Sequence, residues 1–233
     1  MKKLMSLFLV AAALTGCASA PRTVMVLGDS YSTFEGIIPE GYACWYFFES
    51  DAKNDCHCPD STWWKRVCAD KGYELLLNSS YSGATICTTG YDGDDYSDRA
   101  FVTRMKTDIV AEDGTFPNGA APDILFIFGG TNDSWAHSPT GDLLFKDNWR
   151  DADLGQVLPA ISYMLGYLTE MLPDTRIVQI VNTDLDEKTT AGLVEAGRIF
   201  GVETLKLQDF EKQWNHPSNA GMRSIAAQLE AIL

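Results

Sequence analysis

Four residues far apart in the chain have the types that an acyl transfer requires. That reaction needs a nucleophile, a base to take its proton, and hydrogen-bond donors aimed at the oxyanion that develops. Ser30, in Gly28-Asp29-Ser30, could be the nucleophile, and His216, ahead of Pro217, the base. The backbone N–H groups of Ser30 and Gly83 and the side chain of Asn132 could supply the donors. Each segment alone has a plainer explanation. Gly-Asp-Ser is a common turn, Gly129-Gly130-Thr131-Asn132-Asp133 can be a loop with a helix cap, and a lone His before Pro is usually a surface residue. Only a framework that brings all four together gives them meaning.

The sequence patterning supplies such a framework. The chain has 233 residues, 45% hydrophobic and 21% charged, which suits one globular α/β domain. Strand-like runs are expected at Thr23 to Leu27, Glu74 to Leu77, Ile124 to Phe128, Arg176 to Val181 and Val202 to Leu205. Helices are expected between them: Ser61 as N-cap of a helix to about Lys71 with Gly72 as its stop, a second through Leu154, Val157, Leu158, Ile161, Leu165, Leu168 and Leu172, and a third over Asp186 to Phe200. The segment Pro217 to Leu233 reads as a last helix with Pro217 at its start. This alternation predicts a three-layer α/β/α sandwich with about five mostly parallel strands, flavodoxin-like in architecture. Reactive groups in such sheets lie at the carboxyl ends of the strands. Ser30, Gly83 and Asn132 each follow a predicted strand, so topology alone would gather them at one edge.

Residues 1–16 read as an export signal, with Lys2 and Lys3 before an apolar run, Met5 to Leu14, too short for a permanent membrane span. Leu14-Thr15-Gly16-Cys17 has the form of a bacterial lipobox, which would leave Cys17 lipidated, residues 17–21 as a tether and 22–233 as the folded domain. The alternative is a plain signal cleaved near Ala18 to Ala20. Either reading exports the protein, and the first anchors it to a bacterial membrane, the outer membrane or cell surface being expected. Cys44, Cys56, Cys58, Cys68 and Cys87 remain, and in an oxidising compartment they favour disulfides, at most two, over a zinc cluster around Cys56-His57-Cys58. The formal charge of −14 disfavours nucleic acid and polyanions and suits a neutral or acylated neutral substrate.

The order Ser, Gly, Asn, His and the surroundings of each residue resemble the SGNH (GDSL-type) hydrolase family. Its first block matches Gly28-Asp29-Ser30, its second-block glycine Gly83, its third block Gly130-Thr131-Asn132-Asp133 and its last His216-Pro217. Ser32-Thr33-Phe34-Glu35-Gly36, Pro39-Glu40-Gly41 and Trp63-Trp64 look like a bacterial subgroup that processes complex carbohydrates. The resemblance implies a serine esterase that needs no metal or organic cofactor. One position departs from it. The family's Asp three residues before the histidine is Gln213 here. An amide brings no charge to stabilise an imidazolium, and losing that carboxylate can cost about 10⁴ in kcat in the serine-protease triad used as the general example. A backbone carbonyl or Gln213 could orient His216 in a dyad, Asp209 or Glu211 could replace the acid, or the enzyme could be weak or inactive.

The substrate reading rests on aromatics. Tyr31, Phe34, Tyr42, Trp45, Tyr46, Phe47 and Phe48 follow the nucleophile, and Trp135 and Trp214 flank the other loops. Asp29, Trp135 and Trp214 are candidate substrate contacts, although packing explains many such residues, Phe47 and Phe48 first. With export and acidity, this favours removal of small acyl groups such as acetyl from carbohydrate. The alternatives are a lipid or aryl-ester hydrolase and a non-catalytic, surface-anchored carbohydrate binder on an SGNH scaffold. A nucleotide binder would need a Gly-x-Gly-x-x-Gly or Walker loop, and an α/β-hydrolase a Gly-x-Ser-x-Gly elbow; neither is present.

Overall fold

The computed structural model describes residues 20–49 and 53–233, so the signal segment 1–16 and Cys17 lie outside the described residues. Five strands form one parallel sheet: β1 (Thr23–Gly28), β2 (Glu74–Ser80), β3 (Ile124–Phe128), β4 (Arg176–Val181) and β5 (Glu203–Lys206), in the order β2-β1-β3-β4-β5. The helices are α1 (Trp63–Lys71), α2 (Phe101–Arg104, continued by a π-turn over Met105–Ile109), α3 (Thr131–Trp135), α4 (Asp151–Leu154), α5 (Val157–Met171), α6 (Glu187–Phe200) and α7 (Asn219–Glu230). A two-residue pair, β6 (Lys212–Gln213) and β7 (His216–Pro217), makes a small antiparallel hairpin ahead of α7.

Strands covered on both faces must be apolar at every position. The run Ile124-Leu125-Phe126-Ile127-Phe128 meets that demand and is wholly buried. The period of two divides the core. Met25, Leu27, Leu125 and Ile127 pack with Ile161, Met164 and Leu165 of α5 and Leu193 of α6. Val24, Val26, Ile124 and Phe126 face the other way, against Trp63, Trp64 and Val67 of α1 and Met222, Ile225 and Leu229 of α7. The expected three-layer sandwich is therefore the observed one.

Several boundaries differ from those the sequence predicts. Ser61 closes a 3₁₀ turn begun by Pro59, and Thr62 precedes α1 instead; Gly72 ends that helix at φ 67°, as expected. The helix expected from Leu154 breaks before Val157, and the short α4 is held at its start by the Asp153 carboxylate, which accepts the Arg150 N–H at 2.9 Å. Pro217 does not start the last helix. The residue before a proline is pushed towards extended backbone, His216 and Pro217 form β7, and the Ser218 hydroxyl caps α7 by accepting the Gly221 N–H at 3.1 Å.

Candidate active site

The sheet order reverses between β1 and β3, the point where ligands bind in open α/β sheets. The chain leaves β1 at Gly28, where a Cβ would lie 2.4 Å from Ser80 Oγ and 2.7 Å from Ser32 Cβ, so only glycine fits. Asp29 then caps a single 3₁₀ turn, Ser30–Ser32, by accepting the Tyr31 N–H at 3.0 Å. Ser30 thus stands at the first position of a tight turn at the sheet edge, only 3% exposed. Asp29 is fully buried beneath it rather than open to a substrate, with the Thr131 side chain beside its carboxyl. Burial, reinforced by the like charge of Asp133, pushes the Asp29 carboxyl up to about 7.

His216 reaches Ser30 from the β6–β7 hairpin. Its Nε2 lies 2.9 Å from Ser30 Oγ and its Nδ1 2.9 Å from the carbonyl oxygen of Trp214. The only tautomer that serves both contacts has Nδ1–H donating to the carbonyl and Nε2 accepting the serine O–H. Burial pushes the imidazole down to about 4, helped by the nearby Lys212 charge and opposed by the Trp214 carbonyl. The ring is therefore neutral at pH 7, the form a general base must have.

The hairpin loop explains the carbonyl. Trp214 and Asn215 have φ of 50° and 61°, the two left-handed residues of a type I′ turn between paired Gln213 and His216. Asn tolerates that conformation and Trp resists it, and such strain gathers at functional sites. The turn aims two carbonyls inward, that of Trp214 at His216 and that of Asn215 at the Tyr31 hydroxyl, which donates to it at 2.6 Å. Tyr46 Oη and Asn54 Nδ2 also donate to the Pro217 carbonyl, at 2.9 and 3.0 Å, and fix the strand from the other side.

Asn132 is tied to the segment that follows Gly83. Asn132 Nδ2 donates to the Ala84 carbonyl at 3.0 Å, and Asn132 Oδ1 accepts the Tyr91 hydroxyl at 2.9 Å. One N–H of the Asn132 amide is so used, and the amide cannot flip without breaking both bonds. The buried Asp133 carboxylate accepts the backbone N–H groups of Ile86 and Cys87, at 2.8 and 3.2 Å. It thereby ties the segment after Gly83 to α3. Gly83 has φ 84°, a left-handed geometry suited to glycine.

The remaining candidates fall in different places. The Gln213 side chain turns away from His216, and its Oε1 accepts the Asp55 N–H at 2.8 Å, so Gln213 does not orient the imidazole; the Trp214 carbonyl does. Glu211 does not replace the missing acid either, because its carboxylate accepts the Ser218 hydroxyl at 2.6 Å. Trp135 is half-buried with its ring 6.1 Å from that of His216, edge to face. Trp214 projects outward, 68% exposed.

Residues 22–233 match the family of GDSL-like lipases and acylhydrolases. The chain belongs to that family. Two crystal structures of proteins named as GDSL-like lipases are similar to it throughout. The one from Bacteroides uniformis ATCC 8492 is 42% identical, with a TM-score of 0.83 over 91% of this chain and 95% of that one. The other, from Bacteroides ovatus ATCC 8483, is 36% identical, with a TM-score of 0.84 over 92% and 98%. An acetyl xylan esterase from Butyrivibrio proteoclasticus shares the fold at 17% identity, with a TM-score of 0.57 over 91% of this chain and 63% of that one. No curated protein matches the chain. The family and its structural relatives make the protein an ester hydrolase.

Two features of this GDSL-like hydrolase were not visible in its sequence. Arg104, fully buried, donates from Nη2 to the Gly28 carbonyl at 2.9 Å, from Nε to the Arg99 carbonyl at 2.7 Å, and from Nη1 to Ser79. It therefore clamps the carboxyl ends of β1 and β2 beside Ser30. An arginine at the end of a short helix carries no sequence signal for that role. The second feature is a correction: Cys44, Cys56, Cys58, Cys68 and Cys87 are all free thiols rather than disulfides. Cys56 and Cys68 pack into the core beside α1 and Cys87 into the opposite layer. Burial pushes the Cys56 thiol up to about 12 and that of Cys68 up to about 11, so both stay protonated. Among the described residues no group of His, Cys, Asp or Glu is arranged to hold a metal ion, and no helix is long and apolar enough to cross a membrane.

Proposed function

We propose that the protein is a serine esterase that removes small acyl groups, acetyl first among them, from carbohydrate. The observation that carries this is the 2.9 Å contact between Ser30 Oγ and the Nε2 of a neutral, carbonyl-oriented His216. Ser30 attacks the ester carbonyl while His216 takes its proton. The Ser30 and Gly83 N–H groups and the Asn132 amide receive the oxyanion. His216 then gives the proton to the departing sugar oxygen, and water activated by the same base releases the acyl group. The near-complete burial of Ser30 and Asn132, each 3% exposed, supports a short acyl chain. Trp45 and Trp135 around the histidine, the exposed indole of Trp214 at the hairpin tip, the formal charge of −14, and the fold shared with an acetyl xylan esterase support a carbohydrate carrier.

Hydrolysis of p-nitrophenyl acetate and butyrate, followed by acetate release from acetylated oligosaccharides, tests the reading. The expected result is a preference for acetate and a loss of roughly 10³-fold or more in Ser30→Ala. Equal rates in parent and Ser30→Ala would overturn it. We also propose that Cys17 carries a lipid that anchors the enzyme outside the cytoplasm, on the support of Leu14-Thr15-Gly16-Cys17. Incorporation of labelled fatty acid that is lost in Cys17→Ser tests this part.

A further inference from the structure

A second ring lies flat on His216. The indole of Trp45 stacks on the imidazole with centroids 3.6 Å apart and planes within 10° of parallel, which leaves little room for lateral offset. Two neutral aromatic rings avoid that arrangement and prefer offset or edge-to-face contacts, because superposed rings oppose their electron-rich faces. The other aromatics around His216 obey that preference, with Tyr31 inclined at 55°, Trp135 at 76° and Tyr46 at 78°. A superposed stack becomes favourable when one ring is a cation, since the indole face attracts positive charge. His216 is neutral at rest and becomes cationic only when it takes the Ser30 proton. The stack therefore gains most in the transition state, the condition under which an interaction raises kcat.

The charged and titratable surroundings leave that duty open. Lys212 on β6 acts on the imidazole and opposes its protonation, while its own ammonium is paired with Asp184. Tyr31 from the turn after β1 and Tyr46 from the long loop face the ring, and Ser30 holds Nε2. The carboxylates on the hairpin side are engaged elsewhere, Glu211 with Ser218 and Asp55 with the Asn219 N–H. Trp45 is fixed relative to the nucleophile: its backbone N–H donates to Thr33 Oγ1 at 3.0 Å, and Thr33 Oγ1 donates to the Ser30 carbonyl at 3.1 Å.

Building on the serine-esterase reading, we propose that the face of Trp45 is the electrostatic partner of His216, stabilising the imidazolium in the place of the aspartate that this chain lacks. The Ser30 proton passes to Nε2 as the Oγ–carbon bond forms, and Nδ1–H stays on the Trp214 carbonyl. The ring charge is held against the indole until the proton leaves with the sugar oxygen as its bond to carbon breaks.

The test compares Trp45→Leu, Trp45→Phe, Ser30→Ala and the parent by steady-state kinetics on p-nitrophenyl acetate and by NMR titration of the His216 imidazole. In Trp45→Leu the expected results are a kcat lower by about tenfold with KM changed less than twofold, and an imidazole pKa lower by about 1. Trp45→Phe, which keeps an aromatic face, restores part of both, and carries the comparison by itself if the leucine variant does not fold. A ring that only excluded water would give the opposite sign, because hydrating the imidazole raises its pKa. An unchanged or raised pKa overturns the proposal, and so does a loss confined to KM. Turnover that survives Ser30→Ala, or no turnover in the parent, defeats the esterase reading alone. The titration still decides the stack in that case, a fall sustaining it and anything else overturning it.

Discussion

The Trp214 carbonyl oxygen stands 2.9 Å from His216 Nδ1, where it orients the imidazole as a carboxylate would without supplying a full negative charge. That contact depends on a left-handed tryptophan at the tip of a two-residue hairpin. Gln213, three residues before His216, takes no part, because its amide is bonded to the Asp55 backbone.

It follows that Gln213→Asp does not restore a triad. The side chain at this position leaves the strand towards Asp55, and a shorter carboxylate there has no route to Nδ1 around the occupying carbonyl. The expected kcat lies within about threefold of the parent, against the roughly 10⁴ that a triad aspartate can be worth. A rise of a hundredfold or more would mean that the hairpin rearranges to admit the acid.

The pH dependence of activity should follow the buried imidazole. With His216 pushed down to about 4, the base form persists well below the ordinary 6.5. The acid limb of kcat/KM is accordingly expected between about pH 4 and 5, with a plateau through pH 7. A limb near 6.5 in profiles of the purified enzyme would show that the free site is more hydrated than the stacked rings imply.

Tyr91 offers a finer test of the proposed oxyanion donors. Its hydroxyl donates to Asn132 Oδ1 at 2.9 Å, which fixes the amide and polarises it towards its N–H groups. Tyr91→Phe removes one neutral hydrogen bond and leaves the ring. A loss of about three- to tenfold in kcat, with KM little changed, is expected from a bond worth about 1 kcal/mol. An equal loss in KM would place Tyr91 against the substrate instead.

The sheet was legible because its strands are short apolar runs, and those at Ile124–Phe128 and Arg176–Val181 coincide with the expected boundaries. Ser30, Gly83, Asn132 and His216 stood out because each residue type is tied to a chemical role and each of the first three follows a strand. What stayed hidden depends on contacts between distant segments. Trp45 lies 171 positions before the ring it stacks on, and Arg104 bonds carbonyls, which have no residue type to recognise. The β6–β7 hairpin was missed for a related reason. A Trp-Asn turn lacks the glycine that usually marks a type I′ loop, so in the sequence Pro217 looks like the start of a helix it only precedes. Export chemistry predicted disulfides, but burial of Cys56, Cys68 and Cys87 in two core layers makes them packing residues.

Buried acids beside Ser30 and Asn132 should make the fold less stable as pH rises towards neutrality. Burial raises Asp29 to about 7 and Asp133 to about 6 from an ordinary 3.8. Each raised acid contributes stability that is fully present below 3.8 and is lost as pH rises through the folded value. His216, lowered to about 4, has the opposite sign: its contribution is present above 6.5 and is lost as pH falls through 4. Between about pH 4.5 and 6 two groups thus oppose one, Asp29 continues to about 7, and the net change from pH 5 to pH 8 is a loss of stability. Asp29→Asn keeps an acceptor for the Tyr31 N–H and cannot ionise, so it should flatten that slope and narrow the gap in unfolding free energy between pH 5 and pH 8. Urea denaturation of parent and variant at both values checks this. A parent more stable at pH 8 than at pH 5 would mean that Asp29 keeps its charge in the fold.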